Sequence, residues 1–148
     1  EINCKIMKKI FLTLLATGFL MSCGSKEPKP IKLNADPCDF CKMTISNSKF
    51  AAQLITQKGR HYKFDDIACM IQFAKSNTVV PYEAFFVNDY LKDNSFIPVE
   101  KSFLLKGGTI NSPMRGNCAA FATANEQKEF QTQLHAEAMT WEQVYNFY

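Results

Sequence analysis

The chain has 148 residues, a formal net charge of +3 and 47% hydrophobic residues, among them thirteen phenylalanines. That length suits one domain able to bury its own core, and that apolar content excludes a disordered coat or tail. The small charge, without a long basic run, gives no basis for expecting nucleic acid as a partner.

Met7 opens a run with the form of an export signal. Lys8 and Lys9 supply the positive start, and Ile10 to Phe19 supply an apolar core interrupted only by Thr13, Thr17 and Gly18. The run is too short to span a bilayer. Leu20-Met21-Ser22-Cys23 follows and resembles the lipobox of bacterial lipoproteins, in which the signal is cleaved before the cysteine and the cysteine is acylated. Residues 1–22 are therefore expected to be a signal peptide, with residues 1–6, including Cys4, an upstream extension. Cys23 is the expected lipidation site, and its lipid would hold the protein on a bacterial membrane outside the cytoplasm, facing the periplasm. Residues 23–36 are expected to be the lipidated N-terminus and a linker, since Gly24 to Pro30 is polar and punctuated by proline. Residues 37–148 are the expected domain. Cleavage removes Glu1, Lys5, Lys8 and Lys9 and leaves a nearly neutral chain.

Phe50 to Thr56 and Arg60 to Phe64 are β-prone runs flanking Gln57-Lys58-Gly59, the composition of a hairpin loop. Asp65 or Asp66 is placed to cap a helix whose apolar residues Ile67, Met70, Ile71 and Ala74 fall at i, i+3, i+4 and i+7, with Asn77 closing it. Ala84 to Val87 reads as a further strand, before the turn-prone stretch Asn88 to Asn94. The second half repeats this order. Ser102 to Leu105 and Asn117 to Phe121 read as strands, joined through Gly107-Gly108 and Ser112-Pro113-Met114-Arg115-Gly116. Thr123-Ala124-Asn125-Glu126 has the capping-box form and opens a helix expected to bury Phe130 and Leu134. Thr140 to Tyr148 fits either a last strand or a short helix. The expected fold class is α+β, two ββαβ units forming one compact domain.

The chemistry concentrates in Asp36-Pro37-Cys38-Asp39-Phe40-Cys41-Lys42-Met43, where two thiols and a thioether fall within a few residues. Thiolate and thioether together select a soft ion such as Cu(I) over calcium, magnesium or manganese. In an extended run, Cys41, Met43 and Ile45 share one face, which would set the thiolate beside the thioether. Met114, held between Pro113 and Gly116 on an expected turn, is a second candidate. Cys38 and Cys41 also admit three other readings: a redox pair, half of a zinc site completed by Cys69 and Cys118, or a disulfide. The β-like run after Cys41 disfavours a thioredoxin-type pair, whose second cysteine lies on a helix. Met43 alone reads as core filler. Cys69, between Ala68 and Met70, and Cys118, beside Ala119, read as small buried thiols. His61, on a strand, and His135, near a helix end, are the imidazoles able to complete a copper site, with a water as the other third ligand. The sequence lacks G-x-S-x-G, H-E-x-x-H and a glycine-rich phosphate loop, so an ordinary enzyme is not expected.

In order, the lipobox, Cys38-Asp39-Phe40-Cys41-Lys42-Met43, the helix start Phe64-Asp65-Asp66, Val87-Asn88-Asp89-Tyr90, and Ser112-Pro113-Met114-Arg115-Gly116 with Ala120-Phe121 resemble the NosL family over nearly the whole mature chain. The resemblance implies a lipid-anchored copper chaperone that binds Cu(I) and supplies it to the nitrous oxide reductase apo-protein or another cuproprotein, on a fold similar to that of organomercurial lyase. It also implies ligands: Cys41, the cysteine of the C-x-M segment, and Met114, the methionine of a G-P-M-G-like turn, with Met43 and Cys38 in supporting positions. Ser112 stands where the family has glycine, Arg115 intrudes before Gly116, and His135-Ala136-Glu137-Ala138 replaces a His-Gly-Gly-like turn. The alternative function is a thiol-redox or zinc-stabilised lipoprotein that uses the Cys38/Cys41 pair.

Overall fold

The computed structural model describes residues 26–148, so the expected signal peptide and the expected lipidation site Cys23 lie outside the described residues. Strands β1 (Ala52–Thr56) and β2 (His61–Phe64) pair antiparallel, with Leu54 opposite Tyr62. The turn between them needs a left-handed residue, and Gly59 supplies it at φ 80°. Helix α1 (Ile67–Ser76) follows at once because Asp66 is a true cap: its side chain accepts from the Ala68 N–H at 2.9 Å. Such a cap contributes about 1 kcal/mol. Ile67, Met70, Ile71 and Ala74 are all buried, as their spacing requires, and Asn77 terminates the helix.

Strand β3 (Tyr82–Asn88) returns antiparallel beside β1, and β4 (Phe96–Pro98) adds an edge, giving the order β2-β1-β3-β4. The second unit has the same plan. Strands β5 (Phe103–Lys106) and β6 (Cys118–Phe121) pair, helix α2 (Ala124–Leu134) opens on the Thr123/Glu126 capping box, and β7 (Glu137–Met139) closes the order β6-β5-β7. Sheet order β2-β1-β3 in one unit and β6-β5-β7 in the other is the same arrangement, and the α+β fold of two ββαβ units stands. The undecided end, Thr140 to Tyr148, is helix α3 (Trp141–Phe147), capped by a Thr140/Gln143 box. β4 and β7 have three residues each, too few for a two-residue alternation to register in the sequence. Phe130 and Leu134 are half-buried against the second cluster and not enclosed, since α2 lies on the outside of its sheet.

The halves share their interior. Leu54, Phe64, Met70 and Ile71 of the first unit lie in one cluster with Leu104, Cys118 and Ala120 of the second. Phe50 reaches from the 3-10 turn Ser48–Phe50 into the second unit's cluster with Phe121, its ring 5.8 Å from that of Tyr90. Each such fully buried aliphatic or aromatic side chain stabilises the fold by about 1.5–3 kcal/mol. A parallel bridge between Asp89 and Ala120, with the Tyr90 N–H donating to the Ala120 carbonyl at 2.8 Å, ties the sheets along their backbones. The first unit's helix start and the second unit's β5–β6 connection therefore meet at a fixed seam. Residues from Lys29 onward lie against the domain: the Ile31 N–H donates to Asn94 Oδ1 at 2.7 Å, and the Ile31 side chain is buried. Among the described residues no helix is long and apolar enough to cross a membrane.

Candidate metal centre

The segment carrying Cys38 and Cys41 is a tight loop. Its stem is an antiparallel bridge between Pro37 and Thr44, with the Cys38 N–H donating to the Met43 carbonyl at 2.8 Å. The Lys42 N–H donates back to the Cys38 carbonyl at 3.0 Å, and Lys42 takes the left-handed conformation at φ 67°. The chain turns between Cys41 and Met43, so the strand alternation expected to set them on one face does not hold. Ile45 is fully buried while Met43 is 61% exposed.

This loop is docked on β2 by a reciprocal pair of bonds. The Asp39 N–H donates to the Lys63 carbonyl, and the Lys63 N–H donates to Asp39 Oδ2, each at 2.8 Å. Lys63 also turns its ammonium to Asp36 Oδ2 at 2.5 Å, a charge-assisted bond that holds the loop's start. β2 runs directly into Asp65, Asp66 and α1, so docking at Lys63 brings both loop cysteines to the N-terminus of that helix.

There the ligand-type atoms of Cys38, Cys41, Asp65 and Cys69 all lie within 4.8 Å of one another. Cys41 is half-buried, whereas Cys38, Cys69 and Asp65 are buried. All four cysteines among the described residues are free thiols. The Cys69 thiol donates to Cys38, and the backbone N–H groups of Asp65, Cys41 and Phe40 also approach that sulfur; together they outweigh burial and bring the Cys38 thiol down to about 6. Cys41 is pushed up to about 11, first by burial and then by the neighbouring Cys38 and Asp65 charges, against one backbone N–H that favours its thiolate. Cys69 is raised as well, above all because its proton is committed to Cys38. Cys38 is thus the thiol of the cluster that gives up its proton most readily. The Cys41 Sγ–H points to the Asp65 carboxylate, 3.5 Å from Oδ1.

Asp66 does different work from its neighbour. One carboxylate oxygen caps α1; the other accepts from Ser112 Oγ at 2.6 Å, from the Met114 N–H at 3.0 Å and from the Gly116 N–H at 3.3 Å. The Met114 turn is wrapped around this one oxygen. A side chain at Gly116 would not fit, because an added Cβ would lie 2.3 Å from Asp66 Oδ1 and 2.7 Å from the Ala68 Cβ. Ser112, the departure from the family's glycine, is buried and bonded on both sides, accepting from the Asn117 N–H at 2.7 Å. Arg115 takes φ 57° and is exposed. Behind the turn, the Gly116 carbonyl accepts from Lys106 Nζ at 2.9 Å and from the Tyr148 hydroxyl.

Of the residues expected from sequence, Cys38 and Cys41 lie in the cluster. Met114, 42% exposed, sits on a turn anchored to Asp66, the residue next to the cluster's Asp65. Met43 is on the exposed stem of the cysteine loop. His61, on β2 opposite Ile55, and His135, the left-handed cap of α2, are outside the cluster. So is Cys118, fully buried at the start of β6, and the four-cysteine zinc site that the sequence admits is not assembled. Asp65 stands in the fourth position instead. Sequence reading leaves Asp65 as a cap and weighs Cys69 only as a core thiol or a zinc ligand. Their four-residue separation at a helix start, which sets two side chains on one face, is the signal that could have found them.

Three sulfurs and one carboxylate around a common point make a soft donor set with one hard member. A metal–sulfur bond of about 2.3 Å sets ligand atoms about 3.8 Å apart in a tetrahedral site, and the cluster's ligand-type atoms all lie within 4.8 Å of one another.

The NosL family model matches residues 30–147, and the chain belongs to the NosL family. Its fold is similar to that of the crystal structure of the copper chaperone NosL from Shewanella denitrificans, with a TM-score of 0.68 at 17% sequence identity, over 80% of this chain and 95% of that one. No curated protein matches the sequence.

Proposed function

We propose that this protein is a Cu(I)-binding metallochaperone, a carrier and not an enzyme, anchored outside the cytoplasm through a lipid on Cys23. It delivers copper to the nitrous oxide reductase apo-protein or another extracytoplasmic cuproprotein. The observation that carries the reading is the seam itself: Cys41, the half-buried thiol of the cluster, and the exposed Met114 turn are held at adjacent residues, Asp65 and Asp66, at one helix start. Thiolates of Cys38 and Cys41 bind the ion, and the thioethers of Met114 and Met43 supply weaker donors facing solvent. Family membership and the fold's likeness to a copper chaperone support the same cargo.

A chaperone must bind tightly enough to suppress free copper and still exchange. An open coordination position does this, because an incoming ligand from the acceptor attacks it before the old ligand leaves, whereas closed four-ligand sites exchange poorly. Competition titration against a chromogenic Cu(I) chelator is the test. Cys41→Ser should weaken binding by about a hundredfold or more, and Met114→Leu should slow transfer to an acceptor with a smaller change in affinity. Unchanged tight binding in Cys41→Ser sinks the reading. The anchor is tested separately by metabolic labelling with a fatty acid, which Cys23→Ala should abolish.

A further inference from the structure

Cys69 reads from sequence as core filler, yet its surroundings differ from those of a packing thiol. Cys118 shows what the packing role looks like here: fully buried and outside any group of ligand-type atoms. Cys69, 1% exposed, has two sulfurs and a carboxylate oxygen within 4.8 Å of its own sulfur. It is the third residue of α1, whose start is fixed by the Asp66 cap, so the sulfur is held in place before any ion arrives.

We infer that Cys69 is a third thiolate ligand, and that the ion rests in a three-sulfur pocket formed by Cys38, Cys41 and Cys69. The inference rests on the Cu(I) reading and deepens it. Cu(I) is d¹⁰ and soft, so three sulfurs satisfy it, and the hard Asp65 carboxylate stays outside its coordination sphere. Each thiol that ligates gives its S–H proton to solvent, and no electron moves. The exposed thioethers then take a different role from the resting ligands: Met43, on the stem of the cysteine loop, and Met114, on the turn anchored at Asp66, are donors outside the pocket, which the ion leaves past the half-buried Cys41. For a borderline divalent ion the same pocket offers Asp65 as a fourth donor and closes to a tetrahedral site. Three thiolates thus separate a mobile cargo from one that is trapped.

The test needs the wild-type domain first. Cadmium titration counts thiolates directly through ligand-to-metal charge-transfer absorption, and the wild type should show three. In Cys69→Ser and Cys69→Ala the band should fall by about a third, as one of three donors is lost. X-ray absorption of the Cu(I) forms should show the mean Cu–S distance shortening as three-coordinate copper becomes two-coordinate. Cu(I) affinity should drop by about tenfold or more. A wild-type count of two, or Cys69 variants with an unchanged Cu–S shell and affinity, overturns the role of Cys69 and leaves the carrier reading intact. Absence of tight Cu(I) binding in the wild type overturns the carrier reading itself. The wild-type cadmium count decides the matter even where a variant fails to fold.

Discussion

Ser112 Oγ donates to Asp66 Oδ2 at 2.6 Å, a bond that fastens the methionine turn of the second ββαβ unit to the helix start of the first. Both side chains are buried, so the bond is not exchanged with water. The neighbouring N–H groups of Met114 and Gly116 share the same oxygen. Asp66 is therefore at once the cap of the helix that carries Cys69 and the post around which the Met114 turn is wound.

Asp66→Ala removes the cap and strands three donors. A cap is worth about 1 kcal/mol and buried hydrogen bonds to a charged acceptor about 1.5–3 kcal/mol. The expected loss is about 3 kcal/mol in urea unfolding, with weaker Cu(I) binding in the fraction that remains folded. Asp66→Asn keeps an acceptor and should fall between the two. A loss below about 1 kcal/mol for Asp66→Ala would show that the turn is held by other contacts.

Gly116→Ala places a methyl group 2.3 Å from Asp66 Oδ1, and the turn must move away. Overpacking of this kind costs about 1–3 kcal/mol. Because the displaced segment carries Met114, copper transfer to an acceptor should slow more than it does in a Gly107→Ala control, which bears the strain of φ 83° but whose added Cβ meets nothing within 4 Å. Equal transfer rates in the two variants would remove the turn from the delivery route.

Copper binding should strengthen as pH rises. With Cys38 near 6 and Cys41 near 11, between about pH 7 and 10 the first is already a thiolate and the second must release a proton for each ion bound. With Cys69 as a ligand a second proton leaves as well. Below about pH 6 Cys38 must also be deprotonated, so the affinity falls more steeply there. Calorimetry in buffers of different ionisation enthalpy counts the protons. An affinity independent of pH across this range would mean that these thiols are not the ligands.

The Lys63–Asp36 pair should be visible in acid. The Lys63 ammonium, with the Lys32 N–H, holds the Asp36 carboxyl below its ordinary value of 3.8. A carboxyl lowered by folding stabilises the protein above its unfolded-state pKa, and that contribution is lost as pH falls through the folded value. The stability difference between wild type and Asp36→Asn should be about 0.5–1 kcal/mol at neutral pH, since the pair is part exposed, and should disappear as pH falls through the lowered Asp36 value. A difference that persists undiminished in acid would mean that the amide of the Asp36→Asn variant fails for steric reasons and not for want of charge.

Much of this molecule is readable in local pattern. The i, i+3, i+4, i+7 spacing of Ile67, Met70, Ile71 and Ala74 locates α1, the Thr123/Glu126 box locates the start of α2, and Gly59 marks the hairpin turn, because each depends on residues within a few positions of one another. The strand, strand, helix, strand order of the first unit and the strand, strand, helix order of the second follow from the same signals. β4 and β7 do not, as three residues acquire strand geometry only from the neighbour that pairs with them.

At the site, the sequence by itself determined which soft donors exist and that Cys38 and Cys41 stay close. Tertiary structure alone decided which of them meet. The bonds between Asp39 and Lys63, across 24 residues, dock the cysteine loop on β2, and that docking brings Cys69 and Asp65 into the cluster and leaves Cys118 out. It also undoes the local expectation, since a left-handed Lys42 sends Met43 outward where an extended strand would have set it beside Cys41. The physical reason is one of range. Periodicity and capping act over a turn of helix or a pair of strand residues, whereas a metal centre is defined by side-chain directions from distant segments, which only their packing against one another can orient.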